Sequence, residues 1–233
     1  MKVTLKHNTP LSIADDAIGK CWDKCSVDGQ VNVKRMHRVG NKFKHASTLE
    51  HITYNFDITG ISRALLQELA RHRIASLSVK SSRYTLGELK EMKPFVMENG
   101  NLITNEEEEY INFNGVLVDD LVVLTDDPVV DRAIILALDN LRKVLKEGKS
   151  NDIAKYCMPE AYKTSLAWSI NMRSLQNFIA LRSNKSALWE IRLLARAVYQ
   201  ALPEDHKFMF VESLDAEYLG KWEEDLLDEL ALW

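Results

Sequence analysis

Between Arg71 and Tyr84 the chain gathers three guanidiniums, an imidazole and several hydroxyls: Arg71, His72 and Arg73, then Ser76, then Ser81, Ser82, Arg83 and Tyr84. A guanidinium is a planar fork of donors that matches phosphate and carboxylate oxygens, and several held together repel one another unless a ligand neutralises them. The chain as a whole carries a formal net charge of −4, so this stretch is a local attractor for anions. The expected ligand is a phosphorylated small molecule. Two plainer readings compete. Basic side chains are favoured at a helix C-terminus by its unpaired carbonyls and macrodipole, and basic patches bind nucleic acid. Duplex binders spread positive charge over a whole face of a domain, so no nucleic-acid partner is expected of an acidic chain with one short basic stretch.

The elements around the cluster follow from apolar spacing. Met1 to Lys6 alternates as a short strand, and Pro10-Leu11-Ser12 opens a helix carrying Ala14, Ala17, Ile18, Cys21 and Trp22, with Val33 to Val39 a further helical stretch. Ile52 to Thr59 alternates apolar with polar and reads as a strand ended by Gly60. Ile61, Leu65, Leu66 and Leu69 then run at helical spacing to about His72, which delivers the basic residues at a helix C-terminal end. The serine-rich segment after it is expected to be a loop or irregular strand, whose short side chains leave backbone N–H groups open to phosphate. Further helices are expected over Asp131–Leu145, Arg173–Leu181 and Ser186–Leu202. The sum is a helix-rich α+β domain.

Composition bounds the rest. With 233 residues, 46% of them apolar, and no Pro/Gly/Ser-rich linker, the chain reads as a single domain over residues 1–233. The apolar runs near Gly115 and Leu121 are broken by Asp119-Asp120, so no membrane span is expected, and the start lacks a secretory apolar core, so cytoplasmic localisation is expected. Cys21, Cys25 and Cys157 show no metal-type pairing and read as buried free thiols, so no metal is expected. Glu106 to Glu109 reads as a solvated helix start. Nine glycines and no Gly-x-Gly-x-x-Gly after a strand argue against a Rossmann cradle.

The order Arg-His-Arg-x-x-Ser-x-x-x-x-Ser-x-Arg-Tyr, filled by Arg71, His72, Arg73, Ser76, Ser81, Arg83 and Tyr84, resembles the signature of the flavin-dependent thymidylate synthases with no position missing. Asn171-x-Arg173-Ser174-Leu175-x-Asn177-Phe178-x-x-Leu181-Arg182 is similar to the family's second block, and His45-Ala-Ser47-Thr48-Leu49-Glu50-His51 to a looser early one. The resemblance spans most of residues 12–200, with Pro94 to Lys149 less informative.

The resemblance implies that family's α+β fold with a small β-sheet, and reductive methylation of dUMP to dTMP. Methylenetetrahydrofolate would give the carbon, and NADPH the hydride through FAD. It assigns FAD binding to His45, Ser47, Arg71, His72, Arg73, Asn171, Arg173 and Asn177, and dUMP binding to Glu68, Arg71, Ser81, Ser82, Arg83, Lys155 and Arg182. Arg182 would polarise the uracil and so act in catalysis. Ser81 has been put forward as a nucleophile in the family, but no His-Asp pair is visibly arranged to activate it, which favours a binding role. The family also implies a homotetramer whose sites are shared among subunits, with Ser47 and His45 contributed by a neighbour. The chain departs from the usual pattern at Glu68 (glutamine), Val79 (acidic), Lys155 (arginine) and Ser186 (histidine). Two other readings are a catalytically inactive nucleotide- or flavin-binding homologue and a helical interaction protein whose arginines engage an acidic partner.

Overall fold

The computed structural model describes residues 1–21 and 31–215. They divide into two compact units, one made of residues 1–58, 68–78 and 167–215, the other of residues 59–67 and 79–166. One four-stranded sheet has the order β1-β2-β4-β3, with β1 Lys2–Asn8, β2 Thr53–Ser62, β3 Ala75–Val79 and β4 Lys163–Asn171. The central strands earn their places by alternation. Tyr54, Phe56 and Ile58 on β2, and Thr164, Leu166, Trp168 and Ile170 on β4, are buried at every second position.

In the first unit, α1 (Leu11–Cys21) buries Leu11, Ala14 and Ile18 at helical spacing. The short α2 (Val33–His37), capped by Asn32, passes directly into a π-helical stretch Arg38–Lys42. Asp15, fully buried on α1, is neutralised by Arg35 of α2 at 2.7 Å. Late in the chain come α7 (Met172–Arg182), α8 (Trp189–Gln200) and the short α9 (Glu204–Lys207). A series of aromatic rings runs through this core: Tyr54 against Phe56, Phe56 against Trp168 at 5.9 Å, and Trp168 edge-on to Phe178 at 5.0 Å. Such contacts add to the area term because ring quadrupoles favour offset and edge-on pairs. Tyr54 also shares a 2.8 Å hydrogen bond with His206 Nδ1. Burial, with help from Asp205, pushes the phenol well above its usual range, and burial lowers the imidazole.

The second unit is built around α5 (Pro128–Lys146). Asp127 caps it by accepting from the Val129 and Val130 N–H groups, and Pro128 opens it where no amide donor is needed. Its stripe of Ile135, Leu138, Leu141 and Leu145 closes a core with Leu86, Leu89, Phe95, Val118 and Val122. Asp139, also on the buried face, is held by Arg142 at 2.8 Å, Lys143 at 2.9 Å and the Phe95 N–H. Burial raises its pKa, but these donors outweigh burial and leave it below the usual value. The short helices α4 (Ser82–Thr85) and α6 (Asn151–Ala154) belong to the same unit.

Several expectations need correction. β2 does not stop at Gly60 but runs on to Ser62, with Gly60 at φ +73°, a backbone state glycine adopts without Cβ strain. The following helix, α3 (Arg63–Leu69), is therefore shorter at both ends than Ile61–His72. Glu106–Glu109 is a turn held by the Asn105 side chain rather than a helix start, because Asn105 Oδ1 accepts from the Glu107 and Glu109 N–H groups. Cys21 and Cys157 are exposed, not buried; Cys25 and the C-terminal segment from 216 lie outside the described residues. Strand β4 is not among the expected elements, although its alternation stands in the residue order. Among the described residues, no helix is long and apolar enough to cross a membrane.

Candidate active site

Helix α3 ends at Leu69, and the chain turns through Arg71, His72 and Arg73 before β3 begins at Ala75. The Arg71 and His72 N–H groups close that turn on the Glu68 and Leu69 carbonyls. Opposite them stands α7, started by Asn171, whose Oδ1 accepts from the Ser174 N–H at 2.8 Å. Residues four apart share one face of a helix, so α7 presents Arg173, Asn177 and Leu181 in a single stripe. These elements border an open cavity of about 960 Å³, lined by both groups and by Glu50, Ile74, Ser174, Ser186 and Ala187. Sites for small ligands commonly measure roughly 300–1,000 Å³.

The wall is electropositive. Arg71, Arg73, Arg173 and Arg182 face it, against the carboxylate of Glu50, which pairs with Arg173 Nη1 at 2.7 Å. Glu50 lies in the His45–His51 motif with no role expected of it; only the folded contact with Arg173 singles it out. An excess of guanidinium over carboxylate in an accessible cavity fits a ligand carrying several phosphate charges.

Arg182 is the most constrained of these side chains. Its Nε donates to His72 Nε2 at 2.9 Å, Nη1 to Glu68 Oε2 at 2.9 Å, and Nη2 to the Glu68 carbonyl at 3.2 Å. The side chain is only 15% exposed, whereas Arg71 is 74% exposed and reaches Glu68 at 4.0 Å. Burial lowers His72 to a pKa of about 4, with Arg182 and Arg71 pushing the same way and Glu68 opposing them. The imidazole is therefore neutral near pH 7, and the anion-binding charge in the turn comes from the arginines alone.

Other predicted residues are distributed as follows. Asn171 spends its side-chain oxygen on the helix cap. His45 and Ser47 are exposed at the start of the 3-10 turn Ala46–His51, whose Glu50 reaches the cavity. Ser81, Ser82, Arg83 and Lys155 belong to the second unit. There Ser82 is buried, while Arg83 on α4 is engaged by α6: Asp152 pairs with its Nε at 2.7 Å, and Asn151 Nδ2 donates to its carbonyl at 2.7 Å. Lys155 follows α6, one turn beyond Asp152.

Residues 6–206 match the family described as thymidylate synthase complementing protein. Over 213 residues the chain is 53% identical to the flavin-dependent thymidylate synthase of Wolinella succinogenes, covering 90% of this chain and 97% of that one. The chain belongs to the flavin-dependent thymidylate synthase family. The family enzyme of Helicobacter pylori is 51% identical over 218 residues, covering 92% of this chain and 99% of that one. A crystal structure of that flavin-dependent thymidylate synthase, with FAD and dUMP, superposes with a TM-score of 0.81 at 50% identity, covering 92% of this chain and all of the other. A second structure of it, also complexed with FAD and dUMP, gives 0.82. The family fold expected from the three motifs is therefore the fold this chain adopts.

Proposed function

We propose that this protein converts dUMP to dTMP as a homotetrameric, cytoplasmic flavoenzyme, taking its carbon from methylenetetrahydrofolate and its reducing equivalents from NADPH. The observation that carries this reading is the cavity walled by Arg71, Arg73, Arg173 and Arg182, in a chain about half identical to flavin-dependent thymidylate synthases over nearly its full length. FAD, when bound, supplies the hydride that completes the new methyl group, and the folate supplies its carbon; the protein supplies position and electrostatics.

In this reading Arg71, Arg73 and Arg173 hold the flavin's diphosphate by charge-assisted hydrogen bonds, and Asn177 contacts the cofactor from the α7 stripe. Asn171 keeps its amide N–H groups for the same ligand. Exposed His45 and Ser47 serve a neighbouring subunit's flavin, which makes assembly a condition of a complete site. Ser81, Ser82, Arg83 and Lys155 hold the dUMP phosphate and sugar, with Arg71 and Glu68 also reaching the nucleotide. Arg182 stabilises negative charge developing on the uracil. A rigid, partly buried guanidinium is suited to that work because its dipoles need no reorganisation as charge appears. Ser81 binds rather than attacks.

The test is tritium release from dUMP labelled at the methylated carbon, with NADPH and methylenetetrahydrofolate present. Release by the parent protein and its collapse in Arg182→Ala are expected. A colourless preparation that takes up no added FAD and releases no tritium would refute the reading.

A further inference from the structure

His72 sits in the basic turn, yet the geometry denies it a cationic role. Its Nε2 accepts the Arg182 Nε–H at 2.9 Å, so the neutral ring carries its proton on Nδ1. The ring is set edge-on against Phe178 at 5.0 Å with an interplanar angle of 78°, and Phe178 is itself fully buried against Trp168. The imidazole is thus the last ring of the aromatic series that crosses the core of the first unit, and its Nε2 is bonded to Arg182.

We propose that His72 is a positioning residue: held by Phe178, it accepts from Nε of Arg182 and fixes the plane of that guanidinium toward the substrate ring, rather than contacting a phosphate. This rests on the reading that Arg182 acts on the pyrimidine. The charged groups facing His72 support it. Burial first, then Arg182 and Arg71, disfavour protonation, Glu68 on α3 opposes them, and the ring is neutral near pH 7. A protonated ring would have no lone pair at Nε2 to offer, and Arg182 would lose the partner that sets its tilt. Misplacement of a catalytic group by about 1 Å can cost on the order of 10²-fold in rate.

Three variants separate the roles. Glutamine places a neutral acceptor near the position of Nε2; alanine removes it; lysine supplies charge but cannot accept. With flavin content read from absorbance and turnover from tritium release, His72→Ala and His72→Lys should keep their FAD. Both should lose kcat roughly 10²-fold, by a larger factor than KM for dUMP rises. His72→Gln should recover most of the loss, and His72→Ala should add nothing when Arg182 is already alanine. Retention of FAD and rate by His72→Lys, with loss of FAD by His72→Gln, would overturn the proposal in favour of a phosphate contact. An unimpaired His72→Ala beside a crippled Arg182→Ala would overturn it alone. If Arg182→Ala turned over at the parent rate, the proposal and the reading beneath it would fall together.

Discussion

Arg182→Lys isolates what a guanidinium does that a charge alone cannot. Arg182 distributes three hydrogen bonds over Nε, Nη1 and Nη2 to His72, the Glu68 carboxylate and the Glu68 carbonyl. Lysine keeps the positive charge and can still pair with Glu68, but its single ammonium cannot meet three partners arrayed in one plane. The stability cost is one or two hydrogen bonds with no buried charge left unpaired, about 1–2 kcal/mol. The catalytic cost is larger, because an ammonium tethered to Glu68 is not aimed at a developing oxyanion. Loss of one preorganised donor of this kind costs about 10²–10³ in kcat, or about 2.7–4 kcal/mol. The assay pairs tritium release at saturating dUMP with a urea unfolding curve of the same preparation. A kcat within about threefold of the parent, equivalent to less than about 1 kcal/mol of barrier, would show that charge suffices and that the three-bond geometry of Arg182 has no part in the rate.

Further outcomes are expected at three other residues. Asp139→Ala strands Arg142, which is only 4% exposed, and should destabilise the protein by about 3–5 kcal/mol, read from urea unfolding. Because the folded pKa of Asp139 is depressed, its contribution is fully present above the unfolded-state value near 3.8 and is lost as pH falls through the lower folded value. Acid unfolding of the parent should therefore steepen below about pH 4, and a parent curve there that matched Asp139→Ala in slope would refute this. Asp152→Ala releases the exposed Arg83 from a pair worth at most about 1 kcal/mol, so dUMP should bind up to about fivefold more tightly in a flavin-fluorescence titration; tenfold weaker binding would mean that Asp152 orients Arg83 instead. Tyr54→Phe leaves the buried His206 without its partner and should cost about 1–3 kcal/mol, visible as a lower urea midpoint with flavin content unchanged.

What could be read without coordinates was whatever depends on local pattern. Strand β2 and helices α1, α5, α7 and α8 were legible because alternation and 3.6-residue spacing mark a buried face directly in the residue order, and the motif residues were legible because their types and intervals are unusual. The chain's order also carried Arg71, Arg73 and Arg83 as anion-seeking side chains, and the family resemblance added Arg173 and Arg182 as expected site residues. Tertiary structure alone decided what each one touches. That Arg182 is locked by Glu68 and His72, that His72 is neutral, and that Glu50 meets Arg173 depend on contacts more than a hundred residues apart in several cases. Hydrogen-bond geometry and desolvation act across space, and neither leaves a periodic trace in the residue order. The turn at Asn105 and the exposure of Cys21 and Cys157 escaped for the same reason: an acidic run or a cysteine has one composition whether it lies on a helix or a turn, in a core or at a surface, and only packing chooses between them.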